Sequence, residues 1–120
     1  MAQGYPRVVK AIETRKHRRK QFAVLARTRS SQAATMTLAP GAESNEGSAN
    51  EHAWAEQWLY VVSGSGTARI GKRTIKLREG SLVLIAKREP HLIRAGARSR
   101  LVTFNVYVPP AYGDDGEPLR

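Results

Sequence analysis

Residues 57–91 read QWLYVVSGSGTARIGKRTIKLREGSLVLIAKREPH, and this alternation of short β-prone runs with turn residues decides the fold. The run that begins at Gln57 is the strongest strand of the chain, and Gly64-Ser65-Gly66 turns it back. Gly71-Lys72 supplies a two-residue hairpin turn, and Glu79-Gly80 makes another turn. The strands predicted here are Gln57 to Ser63, Thr67 to Ile70, Thr74 to Leu77 and Ser81 to Ala86.

The same pattern continues on both sides of this stretch. Pro40-Gly41 closes one run, and Pro109-Pro110, which cannot donate to a β-ladder, ends the last run. No stretch of helical periodicity exceeds a turn or two after Phe22. The additional predicted strands are Phe22 to Thr28, Ala33 to Leu38, Leu92 to Ala95 and Arg100 to Val108. Together these runs indicate an all-β sandwich or barrel.

The length of 120 residues fits one domain with its own core. We expect a basic N-terminal arm at residues 1–21, a β-barrel at 22–112 and a C-terminal tail at 113–120. Within the arm, Val8, Val9, Ala11 and Ile12 could form one short strand or turn. The polar residues from Gly41 to Asn50 form a loop that leads into His52.

The composition excludes several classes of protein. With no cysteine, the chain has neither a disulfide framework nor a thiolate metal site. The N-terminus lacks the apolar segment of a signal peptide, and no apolar run approaches the roughly 18 residues that a membrane span requires. We therefore expect a soluble, cytoplasmic protein with no membrane partner.

The formal net charge of +10 raises the question of a polyanionic partner. Much of the excess charge lies between Arg15 and Lys20, ahead of the first strand. A protein that binds nucleic acid often interleaves aromatic residues with its cations, but no aromatic residue lies between Tyr5 and Phe22. A solvated basic segment is therefore the favoured interpretation, and nucleic acid is the less expected partner.

Two of the three histidines, His52 and His91, each lie where a loop enters a strand. Such positions lie at the mouth of a barrel, where a rigid scaffold holds polar side chains. Gln57 shares a strand face with Leu59 and Val61, so its amide points inward if they do. A buried amide needs a partner, which could be a histidine, a water or a ligand. The alternative for the two histidines is that they only cap the barrel mouth through hydrogen bonds.

Two segments carry a resemblance to a known family. Pro40 to Gly66, PGAESNEGSANEHAWAEQWLYVVSGSG, is similar to the first cupin motif, and Gly80 to His91, GSLVLIAKREPH, is similar to the second. With the hairpin between them, the resemblance covers roughly Phe22 to Pro110. It implies a single antiparallel double-stranded β-helix, the cupin or jelly-roll barrel, which the N-terminal arm precedes.

The resemblance also implies a site. Asn50, His52, Gln57 and His91 occupy the positions where cupins usually have three histidines and a glutamate that hold divalent iron, manganese, nickel or zinc. This set is neutral, and amide oxygens are weak donors for transition metals, so we expect any metal to be held weakly. Glu56, a further candidate ligand-binding residue, and Glu51 could substitute after a local bulge, although strand alternation aims both away from the interior.

The function implied is the binding of a small polar or anionic molecule in the barrel mouth. Whether the protein is an enzyme stays open. If it is, the resemblance suggests an isomerase, an epimerase or a metal-dependent dioxygenase, with His52 and His91 as ligands or as general acid and base, and with Asn50 and Gln57 orienting the substrate. The alternative is a non-enzymatic sensing or scaffold barrel whose basic arm binds nucleic acid or another acidic partner.

The aromatic residues have two interpretations. Trp54, Trp58, Tyr60 and Tyr107 could line a ligand cleft, but an aromatic residue on an outward strand face more often packs at a subunit interface. Trp58 and Tyr60 fall on the face opposite Gln57. They are therefore the first candidates for homodimer contacts, since small cupins pair through outer strands.

Overall fold

The computed structural model describes residues 10–44 and 52–119, and its regular structure is almost entirely β. The eight strands agree with the predicted runs to within one residue at most ends, because each predicted run is bounded by turn residues. The elements are a short 3₁₀-helix at Thr14–His17, β1 (Phe22–Arg27), β2 (Gln32–Leu38), β3 (Glu56–Ser63), β4 (Gly66–Ile70), β5 (Arg73–Leu77), β6 (Leu82–Ile85), β7 (His91–Ala95) and β8 (Leu101–Val108).

These strands form two antiparallel sheets that pack face to face. The larger sheet has the order β1-β2-β8-β3-β6, and the smaller has the order β5-β4-β7. Buried residues of both sheets form one hydrophobic cluster, to which the larger sheet contributes Leu59 and Ile85 and the smaller contributes Leu77 and Ile93. This arrangement confirms the all-β double-stranded β-helix expected from the sequence.

Strand β3 has the clearest division of its side chains between the two faces of the sheet. Gln57, Leu59 and Val61 are buried, whereas Trp58 and Tyr60 between them are exposed. Successive side chains of a strand point to opposite faces, so this alternation fixes one inward and one outward surface. The strand is held between β8 and β6.

Local hydrogen bonds order the described segments before β1 and after β8. Before β1, Glu13 caps the 3₁₀-helix by accepting a hydrogen bond from the backbone N–H of Arg15 at 3.4 Å. Val8 and Val9, which the sequence allows in a short strand, lie outside the described residues. After β8, residues 111–119 fold back on themselves, with the N–H of Leu119 donating to the carbonyl of Ala111 at 2.9 Å.

Gln32 on β2 holds this C-terminal segment in place. Its buried side-chain oxygen accepts hydrogen bonds from the backbone N–H groups of Ala111 at 3.0 Å and Tyr112 at 2.9 Å. Its amide nitrogen donates to the carbonyl of Tyr112 at 2.7 Å. Three hydrogen bonds from one buried side chain therefore position Tyr112 next to β2.

In the residues that the structure describes, no helix has the length and apolar character that crossing a membrane requires.

The glycines of the two turns at Gly64 and Gly80 allow a direct test of close backbone packing. Both have positive φ, +85° and +91°, but a Cβ on Gly64 would overlap the carbonyl of Arg100, whereas a Cβ on Gly80 would meet open space. We predict that Gly80→Ala costs about 1–2 kcal/mol of unfolding free energy, the strain of a left-handed conformation. Gly64→Ala should cost at least about 2 kcal/mol more, because the backbone at Arg100, directly before β8, must move.

Urea denaturation of the two variants measures this difference. Since the two substitutions share the same φ penalty, Gly80→Ala is the matched control. Equal loss of stability in both variants would contradict the close approach at Gly64.

Candidate functional site

A hydrogen bond between backbone groups joins the loop that carries His52 to the turn that carries His91. The N–H of Arg88 donates to the carbonyl of Ala53 at 2.9 Å, and the N–H of Ala55 donates to the carbonyl of His52 at 2.9 Å. Arg88 has a positive φ of 65°, which bends the turn toward β7. These bonds bring the two segments that resemble the cupin motifs to the same end of the barrel.

His52 and His91 are both buried, and their ring centroids are 4.9 Å apart. The Nδ1 atom of His91 lies 3.0 Å from the carbonyl oxygen of Glu89. Because a carbonyl only accepts, this contact places a proton on Nδ1. Hydrogen bonding of this kind is typical of histidines whose second nitrogen binds a metal or a ligand.

Aromatic rings surround His52. Its ring centroid lies 5.0 Å from that of Tyr107 and 5.9 Å from that of Tyr112, both in edge-to-face geometry. The rings of Tyr112 and Phe22 are 4.7 Å apart and continue this wall toward β1. The position of His52 is therefore set by packing on several sides.

Gln57 lies on the same inner surface and is part of a buried polar chain. Its amide nitrogen donates to Oδ1 of Asn105 at 2.9 Å, and Nδ2 of Asn105 donates to the hydroxyl of Thr103 at 2.9 Å. The side-chain oxygen of Gln57 is buried and has no hydrogen-bond partner. An unsatisfied buried acceptor is costly, and at the wall of a cavity it is available to a ligand.

The three side chains border one cavity of about 110 Å³, which is several times the space that one water molecule needs. In the part of the chain that the structure describes, its walls contain no Asp, Glu, Lys or Arg. The lining residues are Gln21, Phe22, Met36, Ser44, His52, Gln57, His91, Ile93, Tyr107, Tyr112 and Gly116. The described walls are therefore neutral and partly aromatic, and the cavity is open at one side to solvent.

Burial lowers the pKa of His52, and the positive charge that the neighbouring His91 can carry lowers this pKa further. Backbone groups and the Gln57 side chain act in the opposite direction and offset part of this shift. His52 is therefore a neutral imidazole at pH 7.

The predicted site residues divide into those that converge and those that do not. His52, Gln57 and His91 converge, as the sequence predicts. Glu56 does not reach the cavity, because its carboxylate accepts a hydrogen bond at 3.2 Å from the indole of Trp58 on the outer face of β3. No bulge turns Glu56 inward, and whether it contributes to ligand binding stays a prediction. Asn50 lies outside the described residues.

The sequence candidates missed Asn105, which binds Gln57, and several lining residues, among them Tyr112. Asn105 could have been found, since it lies on the inward face of β8 with Thr103 and Tyr107 and is a polar residue between buried neighbours. Tyr112 could not, because its position depends on the hydrogen bonds from Gln32, 80 residues earlier in the chain. Of the other aromatic residues, Trp54 donates to the carbonyl of Pro110 at 3.1 Å instead of lining the cavity.

The basic segment before β1 borders a cleft next to this cavity, and Phe22 and Gly116 line both. Its exposed cations Lys16, Arg19 and Lys20 line this cleft together with Asp114 and Asp115. Whether this segment binds a polyanion stays a prediction.

Comparison with known proteins agrees with this fold. The model of the cupin domain matches residues 34–107, which is more than half of the chain, and the chain belongs to the cupin family. It resembles a protein from Bacillus halodurans at 20% identity, with a TM-score of 0.75 over 90% of this chain and 86% of the other. No curated protein sequence matches the chain.

Two further solved structures have names that refer to particular proteins. KdgF from Halomonas sp. aligns at 20% identity with a TM-score of 0.66, over 78% of this chain and 80% of KdgF. A predicted oxalate decarboxylase from Thermotoga maritima aligns at 17% identity with a TM-score of 0.58, over 68% of this chain and 69% of that protein. At these identities the likeness shows the fold alone.

The lowered pKa of His52 predicts a specific pH dependence of stability. An unfolded histidine has a pKa of about 6.5, so below this pH the unfolded chain takes up the proton more readily than the folded chain. The free energy of unfolding therefore falls as the pH drops below about 6.5. We expect His52→Gln to be less sensitive to pH than the wild type between about pH 6.5 and pH 5, as measured by urea denaturation at each pH.

The control for this measurement is His17→Gln, since His17 is exposed on the 3₁₀-helix. It should retain the pH dependence of the wild type. An unchanged slope in His52→Gln would show that burial of this imidazole does not contribute to acid sensitivity.

Proposed function

We propose that this cupin binds a small polar or anionic molecule in the cavity bordered by His52, Gln57 and His91, with a weakly held divalent metal as a second ligand. The observation that carries this proposal is the meeting of two buried imidazoles with a buried amide oxygen that has no hydrogen-bond partner. Polar groups placed in this way at a partly apolar cavity are typical of a small-molecule site.

The cavity walls limit the class of ligand. A cavity of about 110 Å³ admits a small organic molecule more readily than an extended chain. The aromatic rings of Phe22, Tyr107 and Tyr112 favour contact with a compact ligand, whereas the imidazoles and the amide supply specific hydrogen bonds. Neutral walls avoid the like-charge repulsion that a carboxylate pair would impose on an anion.

The hydrogen-bonded side chains of Gln57, Asn105 and Thr103 would allow the site to bind either a hydrogen-bond donor or a hydrogen-bond acceptor of the ligand. In the present arrangement, Gln57 turns an oxygen toward the ligand, which suits a metal ion or a hydroxyl donor. If the amides of Gln57 and Asn105 both rotate, the Thr103 hydroxyl can donate to Asn105, and Gln57 then presents its N–H₂ group to an anionic or carbonyl oxygen. Within this chain of three side chains, every polar atom keeps a partner in both arrangements except the Gln57 atom that faces the ligand.

The donor set fits a divalent transition metal, but only with modest affinity. Two imidazoles are good ligands for zinc, nickel, manganese and iron, and the Gln57 oxygen is a weaker one. In the described part of the chain, no group of three or more His, Cys, Asp and Glu side chains could hold a metal. His52, His91 and Gln57 would hold the ion, which would supply a Lewis acid for an anionic oxygen of the ligand.

If the protein is a catalyst, its own residues offer proton transfer. His52 is neutral and can accept a proton near neutral pH, and His91 has its second ring nitrogen opposite the one bound to Glu89. With one proton shared between them, the two rings can act as a general base and a general acid on a ligand in the cavity. Gln57, held by Asn105, would orient that ligand. The class of reaction stays open among the isomerase, epimerase and dioxygenase chemistries of the family.

The first test measures binding of Mn²⁺, Zn²⁺ and oxalate by isothermal titration calorimetry, together with elemental analysis of protein purified without added metal. Oxalate is used as a small anionic probe. We expect His52→Ala and His91→Ala to weaken metal binding by at least about tenfold, because each removes one of two strong donors. His17→Ala is the control and should bind as the wild type does. Undiminished binding in both site variants would refute the proposal.

The second test introduces the carboxylate that the family usually has. Gln57→Glu is nearly isosteric, and rotation of Asn105 lets its amide nitrogen donate to the new carboxylate. We expect the affinity for Mn²⁺ or Zn²⁺ to rise by at least about tenfold, since a charged oxygen is a much stronger donor than an amide. The same titration measures this change.

Gln21→Glu is the matched control, because Gln21 also borders the cavity but is exposed at its rim. This variant adds the same charge without placing it next to both imidazoles. An equal gain of affinity in the two variants would indicate a general electrostatic effect and not a metal site at residue 57.

A further inference from the structure

The outer face of the smaller sheet carries one exposed cation on each of its three strands. Burial alternates along these strands, and the cations lie between buried or partly buried neighbours: Arg69 on β4, Lys76 on β5 and Arg94 on β7. Since successive side chains of a strand point to opposite faces, all three point away from the core. We call these three residues the basic face.

Strand register places the three cations around one residue. Thr67 of β4 lies directly opposite Lys76 on one side and directly opposite Arg94 on the other. Arg69 follows Thr67 by two residues on the same strand, so it shares this face. Directly opposed side chains are roughly 5 Å apart and diagonal ones roughly 7–8 Å, which long side chains can span. The three cations can therefore reach a common area above the Thr67 hydroxyl.

The carboxylates of the described residues balance this charge only in part. Glu43 accepts a hydrogen bond from Nε of Arg94 at 3.0 Å and forms an ion pair with its guanidinium. In the part of the chain that the structure describes, neither Arg69 nor Lys76 forms an ion pair. Like charges at this spacing repel each other, and an anion bound between them would relieve the repulsion. The basic face is therefore a surface of positive potential.

The residue types on this face favour a nucleic acid over a protein or a membrane. The centre of a protein interface is rich in aromatic and apolar side chains, and a surface that binds a membrane inserts apolar groups as well as cations. The exposed large hydrophobic side chains of the described residues all lie elsewhere, on β3, on β6 and in the C-terminal segment. Interfaces with nucleic acid are polar and strongly positive, and arginine, lysine and threonine make many of their phosphate contacts.

The same residues favour a double helix over a single strand. Proteins that bind single strands stack the bases on aromatic side chains, and the described outward residues of this sheet include no aromatic ring: Thr67, Arg69, Thr74, Lys76, Leu92 and Arg94. A strand of five residues is roughly 17 Å long, which corresponds to about five base pairs of a duplex. The sheet is therefore long enough to contact several phosphates of one duplex.

We propose that the basic face binds the phosphate backbone of double-helical nucleic acid without reading its sequence. Arg69 and Lys76 supply the two main phosphate contacts, and Arg94 and the Thr67 hydroxyl add hydrogen bonds. This surface differs from the basic arm, whose cations border a cleft beside β1 of the other sheet. It is also formed by a part of the chain that does not line that cleft.

The dependence of binding on salt tests the proposal. Fluorescence anisotropy of a labelled DNA duplex of about 24 base pairs measures the affinity of the full chain. We expect a dissociation constant below about 100 µM at about 50 mM NaCl. The logarithm of the association constant should fall with the logarithm of the salt concentration with a slope of about −2 to −3, because two or three phosphates are neutralised. A wild type that does not bind the duplex at about 300 µM protein would refute the proposal.

Three double variants locate the contact. Each removes two exposed cations and lowers the net charge of +10 by two, so all three lose the same long-range attraction. The variants are Arg69→Gln with Lys76→Gln on the basic face, Arg19→Gln with Lys20→Gln on the arm, and Arg27→Gln with Arg29→Gln at the end of β1. We expect the face variant alone to bind at least about tenfold more weakly at about 100 mM NaCl, with a slope less steep by about two. Circular dichroism verifies that each variant is folded.

The other outcomes would each contradict the proposal. A greater loss in the arm variant would assign the contact to the arm, and equal losses in all three variants would indicate attraction to the net charge alone. Vesicles of phosphatidylcholine with about 30% phosphatidylserine serve as the membrane probe. If the wild type binds these vesicles more tightly than the duplex, and the face variant loses this binding, then the partner is a membrane and not a nucleic acid.

Discussion

The pairing of β3 between β8 and β6 is the constraint on which the rest of the molecule depends. Because side chains alternate along a strand, one register places Leu59 and Val61 in the core, Gln57 at the cavity and Trp58 at the outer surface. A slip of one residue would bury the indole and expose the amide. Burial of the aliphatic side chains therefore selects the register, and the register in turn positions the polar groups. The core, the cavity and the exposed aromatic residues of β3 are all consequences of the register of this strand.

Much of the fold could be predicted from the sequence, because its signals are local. Period-two alternation and turn residues such as Gly64 and Gly80 mark the strands, and the same alternation placed Gln57 inside. The meeting of His52 and His91 followed from the resemblance to two motifs and not from local pattern. What could not be predicted depends on contacts between distant segments. The hydrogen bonds from Gln32 that position Tyr112 join residues with no shared motif.

The described walls of the cavity contain no charged Asp, Glu, Lys or Arg side chain. A glutamate at position 57 would carry a charge that needs a metal or another cation in a buried place. Glutamine at that position removes this need, and Asn105 and Thr103 satisfy most of its hydrogen-bonding groups. Burial of this side chain therefore requires no cation beside it.

The wall of the cavity extends beyond the part of the chain that defines the family. The cupin model ends at residue 107, but Phe22 precedes its matched segment, and Tyr112 and Gly116 follow it. The common scaffold supplies the two imidazoles, whereas the chain ends supply the surface that a ligand would touch. A fragment trimmed to the family boundaries would keep the imidazoles but leave one side of the cavity open to water.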